Sequence, residues 1–324
     1  MKTSGSFFTG GALFDVGAQA AGYKVIWGIE KDDKIASVAR LNGFPVRKAD
    51  VISLDLATLE RPDHFHASPP CPSFSVANNK KGETELDIAM ADVICRALVH
   101  FKPDTFTLEN VVGYRNSESF KRISNTLTEL GYWWDATNLN SADFGVPQTR
   151  IRLWVRACRG LLRGYPHPVP WKGWYQAIED LIPSLPDAEF APWQLSRLPE
   201  EYRTLITRPA KYGPEERGRA YREGNEPSPT VLTYNTVQRA FVLDGQANEG
   251  ERMTVRDEQE PIFTQSASSA KRPARAHVGG RVVKLDIRCL GRFQTVPDWY
   301  QGLTVKINGN GVPCLMAQRV LETL

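Results

Sequence analysis

Several features that would place this 324-residue chain in a class at once are missing from its sequence. The five cysteines are scattered and form no Cys-x-x-Cys pair, which argues against a disulfide framework or a zinc site and favours a reducing cytoplasm. No apolar run approaches the roughly 18 residues of a membrane span, so we expect no membrane partner. No long apolar signal region follows Met1, so we expect no export.

An excess of charge is also missing, because the formal net charge is only +3. The charge is uneven, however, since the windows 147–172 and 267–284 contain several arginines and lysines and no acid. Either window alone is typical of a solvated surface. Two such windows flanking one region favour a groove that follows a phosphate backbone.

Hydrophobic periodicity predicts strands and helices that alternate from the first residues onward. The predicted elements are strand 6–12 running into a glycine turn, helix 14–21, strand 24–29, helix 33–41, a short strand near Val46, strand 64–68, helix 86–101, strand 105–108 and helix 117–130. This order predicts an α/β fold with a Rossmann-like, doubly wound, mostly parallel sheet.

A change of composition divides the chain. Residues from about 160 to 280 are rich in proline and irregular sequence, with only short strand-like runs. We therefore predict a first domain at 1–160, a second, smaller, loop-rich domain at 161–280, and a segment 281–324 that returns to the first domain.

A glycine pair follows the predicted first strand. Gly10 and Gly11 would let a ligand approach the backbone, and Glu30, twenty residues later, could bind ribose hydroxyls. This spacing suits an adenosine-containing cofactor, although a tight turn without a ligand explains the pair equally well. A full Gly-x-Gly-x-x-Gly set is absent, which disfavours a nicotinamide dinucleotide.

An unusual turn follows the predicted fourth strand, with the sequence Ser68-Pro69-Pro70-Cys71-Pro72-Ser73-Phe74-Ser75. Prolines on both sides of Cys71 stop a helix and hold the thiol stiffly, whereas a structural cysteine more often packs inside a regular element. Residues 76–86 form a polar loop that could close over a substrate. Cys71 is therefore a candidate nucleophile.

Three further charged side chains are candidates for the same site as Cys71. Glu109 ends the predicted fifth strand, and the carboxyl ends of neighbouring parallel strands form the ligand crevice of such a sheet. In an apolar setting this glutamate could stay protonated and donate a hydrogen bond, although a strand-end glutamate is more often a plain surface acid. Arg150 and Arg152 alternate with apolar residues, so on a strand both would lie on one face.

Taken in order, these motifs resemble those of the DNA (cytosine-5) methyltransferases over most of residues 7–156 and 284–324. The matching stretches are Phe8-Thr9-Gly10-Gly11, Pro69-Pro70-Cys71, Glu109-Asn110-Val111, Gln148 to Arg152, Arg288 to Pro297 and Gly309-Asn310-Gly311-Val312. Two departures stand out. Ala12 replaces a glycine usual in the first motif, where it would add a methyl near the cofactor, and Pro72 stands where the family often has glutamine.

The resemblance implies S-adenosyl-L-methionine as the methyl donor and S-adenosyl-L-homocysteine as its product. Glu30 would bind the ribose and Asp50 the adenine. The full set of expected cofactor residues is Phe8, Thr9, Gly10, Gly11, Ala12, Leu13, Glu30, Asp50, Val51, Pro70, Asn310 and Val312. The last motif would return beside the first strand to complete the pocket.

The resemblance also implies a covalent mechanism on a cytosine that is flipped out of the duplex. Cys71 would add to C6, while Glu109 would hydrogen-bond N3 and the exocyclic amine. Arg152 would contact O2, and Arg150 would support the phosphate backbone or the nucleophile loop. The base that removes the C5 proton is not identified by the sequence.

Duplex DNA is the expected partner, with 161–280 as the target-recognition domain. The expected DNA contacts are Ser73, Ser75, Lys80, Lys81, Gln148, Lys271, Arg272 and Arg275. We further expect a monomer associated with the nucleoid of a prokaryotic or phage system, with a cognate restriction endonuclease as a further partner. Three alternatives stay open: a tRNA cytosine-5 methyltransferase, a catalytically silent DNA-binding paralogue, and a nicotinamide oxidoreductase.

Overall fold

A computed structural model of the chain describes residues 1–70, 82–200, 202–203, 240–243, 254–265 and 274–324. Several of the expected site residues lie outside these ranges, and their assignments stay predictions. They are Cys71, Ser73, Ser75, Lys80, Lys81, Lys271 and Arg272.

Strands and helices alternate through the first half of the chain, as the periodicity predicted. The strands are β1 (Thr3–Phe7), β2 (Lys24–Glu30), β3 (Val46–Lys48), β4 (His64–Ala67), β5 (Thr105–Asn110), β6 (Trp133–Asn140), β7 (Ile151–Cys158), β8 (Phe241–Leu243), β9 (Val255–Asp257), β10 (Arg275–Val278) and β11 (Arg281–Lys284). The helices are α1 (Leu13–Ala20), α2 (Asp33–Leu41), α3 (Glu85–Phe101), α4 (Glu118–Glu129), α5 (Trp174–Ile178), α6 (Pro192–Arg197), α7 (Ile287–Phe293), α8 (Val305–Asn310) and α9 (Cys314–Leu321). Within the described ranges, no helix is both long and apolar enough to cross a membrane.

The larger sheet has seven strands in the order β3-β2-β1-β4-β5-β7-β6. Strands β1 to β5 pair in parallel, and the chain crosses from one side of β1 to the other, which confirms the doubly wound, mostly parallel prediction. Strand β7 runs antiparallel to both β5 and β6. Because β7 is reversed, its amino end lies at the same edge of the sheet as the carboxyl ends of β1 to β5.

Two hydrophobic clusters cover this sheet. One contains buried residues of α1, α2 and α9. The other contains buried residues of α3 and α4 together with aromatic side chains of β1, β4 and β5. The alternation of β7 shows the two faces, since Trp154 belongs to the first cluster and Leu153 and Val155 to the second.

The first strand differs from the prediction. It spans Thr3–Phe7 rather than continuing to residue 12, because Phe8, Gly10 and Ala12 all have positive φ angles that end the ladder. Residues 8–12, which we call the β1–α1 loop, therefore connect β1 directly to α1. The strand therefore ends five residues earlier than predicted, and the β1–α1 loop lies at the edge of the sheet where the other parallel strands end.

The smaller sheet has the order β11-β10-β8-β9 and its own hydrophobic core. That core includes Trp174 and Ile178 of α5, and also Cys289, Leu290 and Phe293 of α7. Strand β11 and helix α7 thus pack with the smaller unit, although both lie beyond residue 280. We propose to place the start of the returning segment after Phe293 instead of at 281.

A layer of buried polar groups lies between α1 and the central strands. The His64 Nδ1 atom is 2.8 Å from the Thr105 hydroxyl, and the His66 Nδ1 atom is 2.9 Å from the Thr107 hydroxyl. The Phe14 ring stacks on the His66 ring at a centroid distance of 3.4 Å. Burial lowers the pKa of His64 to about 3 and holds the pKa of His66 well below its ordinary value, so both are neutral in the folded protein at neutral pH.

We expect His64 to make the fold sensitive to acid. Below about pH 6.5 the unfolded chain binds a proton at His64 that the folded chain does not bind until about pH 3, so stability falls as pH falls through this window. Between pH 6 and 4, His64→Asn should therefore flatten the pH dependence of the unfolding free energy by about 1.4 kcal/mol per pH unit. Urea unfolding at several pH values measures this, with exposed His100→Gln as the control. Parallel curves for His64→Asn and the parent would contradict the prediction.

Candidate active site

Loops and strand ends carrying polar groups converge at one edge of the larger sheet. The β1–α1 loop follows β1, Glu30 ends β2, and Asp50 follows β3. Ser68 and Pro69 follow β4, and β5 ends in Glu109 and Asn110. Because these strands are parallel, this is the edge at which α/β proteins bind ligands.

The β1–α1 loop has an unusual backbone. Phe8 and Ala12, two residues that carry a Cβ, have φ angles of 57° and 63°, and Gly10 between them has a φ of 58°. Left-handed backbone of this kind is unfavourable for residues other than glycine and is maintained only where the surroundings fix it. The backbone N–H of Thr9 donates to the Ile29 carbonyl at 3.0 Å. The N–H of Gly10 donates to the Glu30 carboxylate at 2.9 Å.

The two glycines of this loop have different surroundings. A Cβ built on Gly10 meets nothing within 4 Å, so this face of the loop is open to a ligand. A Cβ built on Gly11 would lie 2.3 Å from Ile307 Cγ2 and 2.8 Å from the Tyr300 hydroxyl. Gly11 therefore allows the carboxyl-terminal segment to pack closely against the loop, whereas the sequence had suggested a ligand for both. The methyl group of Ala12 is fully buried in the core beside α1.

We expect Gly11→Ala to lower the unfolding free energy by about 1–3 kcal/mol, because the new methyl group forces Ile307 and Tyr300 to move. Ile307→Ala removes the side chain that the new methyl group would meet. The double variant should therefore lose less unfolding free energy than the sum of the two single variants, by at least about 1 kcal/mol. Chemical denaturation of the four proteins measures this coupling. Gly160→Ala, which meets nothing within 4 Å, serves as the control. Strict additivity of the two changes would show that Ile307 does not limit the space beside Gly11.

The two acids expected to hold the adenosine are placed at neighbouring strand ends. Both oxygens of Glu30 accept backbone N–H groups, from Gly10 at 2.9 Å and from Asp32 at 2.8 Å. Asp50 caps a short helical turn by accepting from Ile52 N–H, and it pairs with Lys31 at 2.7 Å. The hydrogen bond from Lys31 lowers the pKa of Asp50. Each carboxylate keeps lone pairs for hydroxyl or amine donors.

The carboxyl-terminal segment closes over the β1–α1 loop, as the resemblance implied. The Tyr300 hydroxyl donates to the Gly11 carbonyl at 2.5 Å, and Lys306 pairs with Asp32 at 3.1 Å. Asn310, at the end of α8, is exposed, while Val312 is buried. Sequence reasoning missed Tyr300, since nothing local connects it with a residue 289 positions away.

The chain that leads into Cys71 is tied to the neighbouring strand ends. The Asn110 side chain donates to the Pro69 carbonyl at 3.1 Å, and its oxygen accepts from Val111 N–H at 2.8 Å. On the other side, the Ser68 hydroxyl donates to the Phe8 carbonyl at 3.4 Å. The described chain therefore reaches Pro70, which is exposed, between the β1–α1 loop and the end of β5.

Two guanidinium groups face the carboxylate at the end of β5. Glu109 Oε1 lies 3.8 Å from Arg150 Nη2 and 3.5 Å from Arg152 Nε, which confirms that both arginines lie on one face. The Glu109 side chain is only 7% exposed, and its Oε1 atom has no hydrogen-bond partner among the described residues. The setting is not apolar, as the sequence had suggested for a protonated acid, but strongly cationic.

Arg150 connects this carboxylate to the carboxyl-terminal segment. Its side chain is 3% exposed and donates from Nη1 to the Gly309 carbonyl at 3.0 Å. Burial, with a smaller contribution from Arg152, lowers the pKa of Arg150 to about 9, and Glu109 opposes the shift. Arg152 is more accessible, at 19% side-chain exposure. The buried Arg150 can therefore position Glu109 and the Gly309 carbonyl, whereas the more accessible Arg152 can contact a ligand.

Gln148 occupies the junction between the two units. Its side chain is fully buried, donates to the Phe293 carbonyl at 3.5 Å and accepts from Gln265 N–H at 3.4 Å. The adjacent Thr149 N–H donates to the Ile262 carbonyl at 2.7 Å. We propose that Gln148 joins the units rather than contacting DNA. Arg275, in β10, is partly exposed.

The acid-free window 147–172 is only partly a solvated surface. Arg156 is buried, pairs with Asp135 at 2.6 Å and lies 3.5 Å from the centroid of the Tyr165 ring. Because Arg156 and Arg150 are both buried, two of the positive charges that the sequence placed in a surface groove are not at the surface. The number of basic residues in this window therefore overstates the positive charge at the surface.

Comparison with known proteins agrees with this geometry. The sequence profile of the family described as C-5 cytosine-specific DNA methylase matches residues 3–324. The chain is similar to the Type II methyltransferase M.HhaI of Haemophilus parahaemolyticus, with 27% identity over 187 residues, 56% of each chain. It is also similar to M.AquIA of a Picosynechococcus, with 27% identity over 56% of this chain and 88% of that one. It matches M.Bsp6I of a Bacillus species with 31% identity, over 51% and 55% of the two lengths. The chain thus spans just over half of two of these three relatives.

Solved structures share the fold over the whole chain. The Entamoeba histolytica methyltransferase EhMeth superimposes with a TM-score of 0.61 and 12% identity, covering 100% of this chain and 97% of that one. The Dnmt2 methyltransferase of S. pombe superimposes with a TM-score of 0.58 and 14% identity, covering 99% and 98%. Because the family profile matches nearly every residue, and the motifs meet at one edge of the expected fold, the chain belongs to the C-5 cytosine-specific DNA methylase family.

Proposed function

We propose that this chain is an S-adenosylmethionine-dependent DNA (cytosine-5-)-methyltransferase that acts on a cytosine flipped out of duplex DNA. The observation that carries the proposal is the Glu109 carboxylate. It is buried, lies between Arg150 and Arg152, and has one oxygen without a hydrogen-bond partner among the described residues. A buried polar atom of this kind normally has a partner, so its orientation is consistent with a ligand that supplies one.

The residues at the strand ends fit an adenosine-containing methyl donor. Gly10 leaves an open face on the β1–α1 loop, and Glu30 and Asp50 place carboxylates at the ends of the next two strands. Carboxylates at these positions suit ribose hydroxyls and the adenine amine. S-adenosylmethionine, when bound, supplies an electrophilic methyl group. We propose that Thr9, Leu13, Val51, Pro70, Asn310 and Val312 complete its site with the β1–α1 loop.

We propose that Cys71 acts as the nucleophile, since Asn110 holds Pro69 next to Glu109. The thiolate adds to C6 of the cytosine, and the ring electrons then make C5 nucleophilic. Glu109 accepts a hydrogen bond from the exocyclic amine and holds a proton at N3, which balances the negative charge that thiolate addition places on the ring, and the accessible Arg152 binds O2. After C5 accepts the methyl group, a base that the sequence does not identify takes the C5 proton, the thiolate leaves and the ring is restored.

We propose duplex DNA as the substrate and the smaller unit, with Arg275 and the segment before it, as the region that selects the sequence. A base-edge contact contributes about 1–3 kcal/mol of discrimination. The similarity to Type II methyltransferases supports a cognate endonuclease as a further partner. Methylation of tRNA is the rival substrate, and a silent paralogue is the rival without turnover.

Methyl incorporation from labelled S-adenosylmethionine into duplex DNA and into tRNA tests the substrate. We expect incorporation into DNA only, and bisulfite sequencing of DNA from expressing cells should show 5-methylcytosine within one recurring sequence. Incorporation into tRNA alone would support the rival enzyme. DNA binding with neither product would support the silent paralogue, and the Cys71→Ser variant provides the background in each assay.

A further inference from the structure

A buried chain of hydroxyl groups lies directly beneath the β1–α1 loop and ends at Asp15. The Asp15 Oδ2 atom is 3.1 Å from the Ser6 hydroxyl, and the Ser6 hydroxyl is 2.8 Å from the Thr9 hydroxyl. The Thr9 hydroxyl is in turn 3.0 Å from the Ser6 carbonyl. Asp15 and Ser6 are fully buried, and Thr9 is 8% exposed. These three consecutive contacts join the first turn of α1 to the loop.

The number of protons in this chain of hydroxyl groups favours a neutral Asp15. A hydroxyl group donates one hydrogen bond, so Ser6 and Thr9 together supply two protons for three contacts. With an ionised Asp15, Ser6 donates to the carboxylate, and the single Thr9 proton must be shared between the Ser6 hydroxyl and the Ser6 carbonyl. If Asp15 is a neutral acid, it donates to Ser6, Ser6 donates to Thr9, and Thr9 donates to the carbonyl. Every contact is then a hydrogen bond.

The surroundings of Asp15 agree with a neutral acid. Its Oδ1 atom accepts no hydrogen bond from the described residues, and α1 begins without a side-chain cap. A buried carboxylate with an unsatisfied oxygen is far more costly than a neutral acid in the same place. Burial raises the pKa of Asp15 to about 7, against a smaller lowering by the Ser6 hydrogen bond.

Other titratable groups on the elements around β1 and α1 supply little charge. His64 and His66 of β4 are kept neutral by burial, which lowers the pKa of each. Burial raises the pKa of Tyr300 and of Cys314 in α9, so both stay neutral at ordinary pH. Glu30 is bound by the N–H groups of Gly10 and Asp32. No guanidinium or ammonium partner of Asp15 is found among the described residues.

We propose that Asp15 is a positioning residue that works as a neutral carboxylic acid, fixing the strained β1–α1 loop in the conformation that binds the cofactor. The loop needs such support, because Phe8 and Ala12 both hold left-handed backbone on either side of Gly10. Ionisation of Asp15 removes one donor from the chain and releases Thr9. The binding part of this inference rests on the proposed cofactor, whereas the protonation of Asp15 does not.

Infrared difference spectroscopy of the parent against Asp15→Asn tests the proton directly. We expect the parent to show the carbonyl band of a neutral carboxylic acid at pH 6, and to lose it by pH 9. The difference spectrum of the parent against Asp33→Asn, which changes an exposed aspartate of α2, should contain no such band, because Asp15 is present in both proteins. A parent spectrum with only carboxylate bands at pH 6 would overturn the inference.

Binding of S-adenosylhomocysteine tests the positioning role, with folding checked in each variant by urea unfolding. The parent Kd should rise by up to about 25-fold between pH 6.5 and 8.5, because the neutral fraction of an acid with a pKa of about 7 falls by that factor over this range. Asparagine can donate the same hydrogen bond to Ser6 without titrating, so Asp15→Asn should bind like the parent at pH 6.5 and vary less than about twofold. Asp15→Ala should bind weakly at every pH.

The two ways of failing are distinguishable. Equal pH dependence in the parent and in Asp15→Asn would overturn the positioning role even if the acid band is present. A parent that shows the acid band but binds no S-adenosylhomocysteine at any pH would count against the proposed cofactor, while leaving the neutral acid established.

Discussion

Replacement of Cys71 by serine is expected to abolish the covalent complex with DNA that contains 5-fluorocytosine. Fluorine at C5 cannot leave as a proton does, so after methyl transfer the sulfur–carbon bond stays closed and the complex survives denaturation. A serine hydroxyl is a far weaker nucleophile, and turnover should fall by about four orders of magnitude. Denaturing electrophoresis and peptide mass mapping measure the adduct and its position.

The other cysteines provide the control for this result. Cys158, Cys289 and Cys314 are buried, and burial raises the pKa of Cys95 and raises that of Cys289 to about 12, which keeps both thiols protonated. Cys95→Ser should therefore trap DNA as the parent does. An adduct mapped to one of these four cysteines would remove Cys71 from the mechanism.

Replacement of Glu109 by glutamine is expected to lower kcat by about 10²–10³ with little change in cofactor affinity. Glutamine keeps the shape but is not acidic, so it cannot supply a proton to N3, and the negative charge proposed to develop on the ring is no longer balanced. It also removes the charge that faces Arg150 and Arg152. Single-turnover methyl transfer measures the effect. Glu118→Gln, on the exposed face of α4, should leave kcat unchanged.

A loss of activity through misfolding must be separated from a loss of chemistry. Glu109→Gln leaves Arg150 buried without its counter-charge, which also lowers stability. Arg150→Met is expected to have a different effect from Glu109→Gln. It should weaken cofactor binding, because Arg150 also donates a hydrogen bond to the Gly309 carbonyl. A Glu109→Gln variant with normal unfolding, normal binding and normal kcat would refute the role of the carboxylate.

Patterns within single strands and helices were enough to predict much of the fold. The periodicity of 86–101 predicted α3 to within one residue, and the strand patterns correctly predicted that Glu30 and Glu109 lie at strand ends. Both succeed because the side-chain period of an element and the edge at which it ends follow from the backbone alone. The alternation of Arg150 and Arg152 likewise placed both guanidinium groups on the face of Glu109.

Contacts between distant segments could not be predicted in this way. Nothing in the sequence near Gly11 indicates that Ile307 fills the space beside it, or that Gln148 is enclosed between Phe293 and Gln265. The burial of Arg156 escaped for the same reason, since an arginine in a basic run looks like a surface residue until its partner Asp135 is placed. The left-handed backbone of Phe8 and Ala12 also has no signature in residue type.

The packing of α9 against α1 has a consequence for the nascent chain during synthesis. On the ribosome α1 emerges early, but the helix that covers its apolar side is translated only after the whole smaller unit has been made. Until then the side of α1 at Gly17, against which Cys314 and Ala317 pack closely in the folded protein, stays uncovered. Exposed apolar surface of this kind is bound by chaperones. A truncation before Cys314 would leave that state permanent, and the truncated chain should aggregate rather than merely lose activity.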